Sequence, residues 1–158
     1  MDLLKLLKHK IQLAQRLSLS DWFTLTEAWW RLIFFHFALF VTSYDRLDDS
    51  TRAADSSTRR EARAQAGAEA EHLHKLIHYA AQIHLIPMTC LVKSLTLKKM
   101  LNKQNIPAQI RIGAHKDQGT LRAHAWVEVG KTPIGEADNV AEKFNIITAV
   151  NLNNRKFI

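Results

Sequence analysis

The chain has 158 residues, 47% hydrophobic and 23% charged, enough for one domain with its own core. A single cysteine, Cys90, excludes an internal disulfide framework and any zinc site built on two cysteines, and favours a reducing compartment such as the cytoplasm. The formal net charge of +7 suits acidic partners, but it is spread along the chain without a long basic tail, so no nucleic-acid partner is expected.

Leu3, Leu4, Leu7, Ile11, Ala14 and Leu17 recur at helical spacing, with Lys5, Lys8, Lys10 and Arg16 among and opposite them. This predicts an amphipathic helix with a basic face, packed on the rest of the protein. Peripheral membrane contact is the lesser reading. Lysines interrupt every apolar run, so the segment is no signal peptide.

"SLSDWF" breaks this helix. The next one is expected to start at Ser20, or at Thr24, where Thr24 and Glu27 fit a capping box, and to run to about Tyr44. The window Trp22 to Val41 is as long as a membrane span, yet Glu27, Arg31 and His36 lie inside it. Each charge near a bilayer centre costs about 2.5–3.5 kcal/mol. Glu27 and Arg31 also stand four apart, as a helix-surface pair does. A buried or interfacial helix is therefore expected, and its many aromatics, Trp30, Phe34 and Phe37 among them, need a cover of protein, partner or lipid.

A polar loop is expected from Arg46 to Ser57, since the stretch has almost no large apolar residue. A third helix follows with a solvated start and a buried stripe at Leu73, Leu76, Ile77, Ala80 and Ile83, ending before Pro87. His74 and His78 stand four apart on it, without the glutamate of an H-E-x-x-H motif, and are read as solvated or core-edge side chains; no metal is expected. In "MTCLVKSLTLKKMLNKQNIP", Thr89 is the expected N-cap of a fourth helix with Cys90 in its first turn. Period-two alternation then takes over. Ile110 and Ile112 open a first strand, "LRAHAWVEV" from Leu121 completes a hairpin, "TPIG" makes a short third strand and "FNIITAV" from Phe144 a fourth. The fold class is α+β: N-terminal helices, a Cys-bearing helix and an antiparallel sheet. The expected organisation is a helical segment, 1–58, packing on a core, 59–158, as one compact domain.

A thiol becomes a catalyst when its anion is favoured, a base holds its proton and the base is oriented. A helix N-terminus favours an anion by about 0.3–1 kcal/mol, too little alone, so an imidazolium is needed beside it. His124 is the candidate. In its strand Leu121, Ala123, Ala125, Val127 and Val129 point one way, and Arg122, His124, Trp126 and Glu128 the other. The apolar face is expected to be buried under helices and the mixed face to line a cleft approached by the Cys90 helix, with Arg122 and Trp126 as cleft candidates. The orienting acid should come from "PIGEAD": Glu136 first, Asp138 as the alternative. Glu128 lies roughly 13 Å from His124 along an extended strand, too far to serve. Read bare, a lone cysteine, a lone strand histidine and Trp126 would each be ordinary core residues.

"TCLVKSLTLKKMLNKQNIPAQIRIG" followed by "HAWVEVGKTPIGE" resembles the transglutaminase-like fold of papain-type thiol enzymes. More closely, it resembles the lasso-peptide maturation proteases, relatives of the microcin-processing protein. The resemblance covers about Ala62 to Thr148. H-A-W-V-E-V alone occurs across the wider superfamily; its combination with the cysteine helix is more specific. The resemblance implies a cysteine peptidase with Cys90 as nucleophile and His124 as base. Glu136 falls where the family most often has Asp, a departure that keeps Asp138 in play. The backbone N–H of Cys90 is the expected oxyanion donor. Such proteins remove the leader from a ribosomal precursor peptide through a thioester, with no cofactor, before an ATP-dependent lasso cyclase closes the ring. The residues before the core read as helices, so a separate leader-recognition protein is the expected partner. The alternatives are a transglutaminase-like acyltransferase or deamidase, and a non-catalytic leader-binding scaffold.

Overall fold

A computed structural model describes residues 18–42, 60–117 and 120–147. The amphipathic segment through Leu17, the whole expected polar loop from Arg46 to Ser57 and the end of the expected fourth strand lie outside these residues. Three long helices, α1 (Leu19–Val41), α2 (Arg60–Gln82) and α3 (Cys90–Lys103), precede β1 (Ala108–Asp117), β2 (Thr120–Val129) and β3 (Thr132–Ile134). A short α4 (Val140–Lys143) and β4 (Asn145–Ile146) follow. The fold is α+β, as the change of period implies.

α1 starts earlier than Ser20 or Thr24. Ser18 caps it in a capping box with Asp21, and Thr24 turns its hydroxyl back to the Ser20 carbonyl at 2.9 Å. Aspartate in third position reaches back as glutamate does, so the motif is S-x-x-D. Ile83 falls just beyond α2 and is exposed, whereas Leu73, Leu76, Ile77 and Ala80 are buried. α3 begins where Thr89 predicts and ends with Asn105 in the left-handed conformation, φ 60, its turn closed by a 3.0 Å bond from the Ile106 N–H to the Leu101 carbonyl.

The sheet is antiparallel, in the order β3-β2-β1-β4. The β1–β2 hairpin sets His124 opposite Gly113 and Val127 opposite Ile110. Gly130, φ 66, takes the first central position of the two-residue turn into β3. The three long helices cover the face that carries Ala108, Val127, Val129 and Ile134, and their inward residues merge with it into one core. The Cys90 helix therefore packs on the apolar face and not on the mixed one. The mixed face is covered instead by Phe144, which follows α4. The apolar face is not buried throughout: Leu121 is exposed, because the first half of β2 projects beyond the helices.

α1 contributes Ala28, Leu32 and Phe35 to the core. Leu32→Ala should lower stability by about 2–5 kcal/mol, seen as a lower urea midpoint at unchanged slope. The opposite face of α1 exposes Phe23, Trp30, Phe34, Phe37 and Phe40. Among the described residues, no helix is long and apolar enough to cross a membrane.

Glu27 ties α1 to the far end of α3. Its carboxylate accepts from Arg31 at 2.9 Å and from Lys103 at 2.9 and 3.0 Å. Burial alone would raise its pKa, but the hydrogen bonds from Lys103 and Arg31 outweigh burial and hold it below the usual carboxylate value. A carboxyl depressed by folding stabilises above its unfolded value, about 4.3, and that contribution is lost as pH falls through the folded value. Glu27→Gln should therefore flatten the acid limb of a stability–pH curve in that window and leave the limb above pH 7 unchanged.

Candidate active site

Cys90 is the first residue of α3 and is a half-buried free thiol. The Thr89 hydroxyl accepts from the Val92 N–H at 3.4 Å, and the Thr89 carbonyl accepts from the Lys93 N–H at 3.2 Å. The N–H groups of Cys90 and Leu91 have no partner among the described residues, as expected in a first helical turn. They are donors available to an anion beside the thiol.

Ser94, one turn further along α3, ties this helix to the histidine strand. Its hydroxyl donates to the Ala125 carbonyl at 3.0 Å. The strand geometry explains why that carbonyl is free. In the β2–β3 ladder, Val129 pairs with Thr132 and Val127 with Ile134. Ala125 is the next residue whose backbone faces β3, but β3 has ended. Ser94 takes the place of the missing strand. At the other end of α3 the Ile106 N–H donates to the Leu101 carbonyl just before β1 begins, and there Ala108 pairs with Val129. The N-terminus of α3 must then point back along β2 toward His124, with Cys90 about 6 Å beyond Ser94 along the helix axis. Ser94 thus fastens the N-terminal half of α3, which opens with Cys90, to the edge of β2 beside His124.

His124 is held on three sides. Its Nε2 lies 2.8 Å from Oε1 of Glu136. Its ring stacks near Trp126, centroids 6.1 Å apart and planes 20° apart, and lies 5.2 Å from the Phe144 ring. A carboxylate accepts only, so Nε2 donates and Nδ1 keeps its lone pair for a proton. Phe144 reaches this position because Gly113, opposite His124, has no side chain; a Cβ there would stand 2.8 Å from Cβ of Phe144.

The structure joins His124 to Glu136. Among the described residues it records no hydrogen bond from Cys90 to His124 and none between Asp138 and His124. Arg122 is exposed, opposite His115 on the projecting hairpin. Trp126 does not line an open cleft: it is 2% exposed, and its Nε1 donates to Glu128 at 3.3 Å, so it supports the His124 ring from below. Glu128 also accepts from Arg111 at 2.9 Å. His74 and His78 lie with ring centroids 6.3 Å apart. No group of three or more metal-binding side chains exists among the described residues.

Sequence reasoning missed Ser94, Gly113, Phe144, and the residues that hold the Glu136 turn, Gly135, Glu71 and His74. The spacing C-x-x-x-S, which puts Ser94 one turn behind Cys90, was the only signal available for any of them.

A family profile described as the transglutaminase-like superfamily matches residues 31–149. Over 68 residues the chain is 34% identical to the microcin J25-processing protein McjB of Escherichia coli, an alignment covering 43% of this chain and 32% of that protein. The chain therefore matches about a third of the length of this curated relative. No solved structure matches.

Proposed function

From a chain that belongs to the transglutaminase-like superfamily, we propose a cysteine peptidase that removes the leader from a ribosomally made lasso-peptide precursor. The observation that carries this reading is the His124–Glu136 pair, at 2.8 Å, on the strand edge to which Ser94 fastens the cysteine helix. The similarity to a microcin-processing protein supports the substrate class.

In this reading Nδ1 of His124 takes the Cys90 proton, and the thiolate adds to the scissile carbonyl carbon. The oxyanion meets the free N–H of Cys90. Collapse breaks the C–N bond, and the leaving amine takes the proton from His124. A thioester joins the leader to Sγ. Water then gives a proton to His124 and adds to the thioester carbon; collapse expels the thiolate and frees the leader as a carboxylic acid. Glu136 keeps the imidazole in the tautomer this sequence needs and stabilises its charged form. A separate leader-binding protein would present the substrate, and an ATP-dependent cyclase would consume the freed core peptide. The cytoplasm suits a thiol nucleophile of this kind.

The test is mass spectrometry of a lasso precursor incubated with the chain, with and without a small leader-binding protein. Two fragments whose summed mass exceeds the precursor by one water support the peptidase. A product joined to an added amine would replace hydrolysis by acyl transfer. An intact precursor under both conditions would overturn the reading.

A further inference from the structure

The turn that carries Glu136 is held by a helix and not by the sheet. β3 ends at Ile134, and Gly135 leaves it with φ 71. The Gly135 N–H donates to Oε1 of Glu71 at 2.8 Å, across 64 positions of sequence. The His74 imidazole lies so close that a Cβ on Gly135 would fall inside it. Glu71 and His74 stand three apart on α2, hence on one face. Together they grip a single residue, and the next one is Glu136. Burial pushes the His74 pKa down; Glu71 pulls it up, His78 pushes it down, Glu136 pulls it up and Lys93 pushes it down, leaving it below the usual imidazole value. A neutral ring, able to pack flat on a backbone, is what the turn meets at pH 7.

We propose that Glu71 and His74 are positioning residues of the active site, which hold the Gly135 turn and through it set the Glu136 carboxylate on Nε2 of His124. The inference rests on reading Cys90, His124 and Glu136 as the catalytic group. The physical case is that a β-strand would otherwise fix its last residue through the ladder. Here the ladder stops two residues before the acid, and a charge-assisted hydrogen bond from another layer takes over. A misplacement of about 1 Å at such a group can cost roughly 10²-fold in rate.

A merely structural residue would lower stability and cost the same factor whatever stands at position 136. A residue acting through Glu136 would not. Glu71→Ala should slow precursor cleavage about tenfold or more, mainly in kcat, in the otherwise unaltered chain. In a Glu136→Gln background it should cost less than about twofold, because the geometry it maintains is already without its carboxylate. Glu71→Gln should recover most of the lost rate, since its amide oxygen can still accept from Gly135. His74→Gln is the second variant, expected to move in the same direction as Glu71→Ala. The readout independent of activity is the nitrogen-15 spectrum of labelled histidines. The His124 Nε2 signal should shift in Glu71→Ala as it does in Glu136→Gln, and stay near its original place in Glu71→Gln. Equal costs of Glu71→Ala in both backgrounds, or an unmoved His124 signal, would overturn the proposal. If the original chain cleaves nothing while the His124 signal still responds to Glu71, the peptidase reading fails and the positioning stands.

Discussion

His124→Ala should slow alkylation of Cys90 at pH 7 by roughly tenfold, and cleavage by about 10²–10⁴-fold, without unfolding the chain. The reactive species is the thiolate, and a free thiol with pKa about 8.5 is only ~3% ionised at pH 7. In the proposed site, loss of the imidazole removes the base that would take the Cys90 proton. Cys90→Ala removes the nucleophile and should abolish cleavage altogether. Both side chains lie outside the merged core, so circular dichroism and the thermal midpoint should stay close to those of the original chain. The check is a pair of iodoacetamide time courses at several pH values beside the precursor assay. A thiol that alkylates equally fast with and without His124 would mean that the strand edge does not bring the two together.

Gly135→Ala is the second large effect. An L-residue at φ 71 is strained by about 1–2 kcal/mol, and its Cβ has to displace His74. The expected result is a stability loss of about 1–3 kcal/mol with cleavage down roughly 10²-fold, because the acid moves with its neighbour. Adding His74→Ala removes the overlap and leaves the backbone strain. The double variant should therefore regain part of the lost stability, measured in urea, while cleavage stays low. Full recovery of cleavage in the double variant would mean that the turn does not need His74.

Much of this arrangement is legible in the residues, and what is not has physical causes. The Cys90 helix is announced by Thr89 and bounded by Pro87 and Pro107, signals that act within a few residues of the chain. The hairpin follows from alternation, and the α+β class follows from the change of period at Pro107. The side of the sheet on which α3 lies is a long-range matter. The sequence favours a mixed face that looks like a cleft, but the core is settled by apolar area, and α3 follows Val127 and Val129. Trp126 misleads for a related reason: it belongs to the mixed face by parity, yet Phe144 closes over that face because Gly113 makes room. Glu136 is reached by proximity to the short third strand, and it is the acid that bonds His124. The contact of Glu71 and His74 with the Gly135 turn leaves no trace in sequence, since nothing local marks a helix surface that meets a turn 64 positions away.

That separation has a consequence for timing. The groups at this edge come from distant stretches of chain, joined by contacts spanning 64 and 31 positions. Such contacts require long loops to close, and they form after local helices do. During synthesis Cys90 leaves the ribosome before His124, and His124 before Glu136. If the proposed site is right, an unfinished chain would carry the thiol without its base, and reactivity would arrive only once the sheet has closed. In refolding, the rise of Cys90 alkylation should trail the helical signal, so the thiol itself serves as a clock for the completion of the fold.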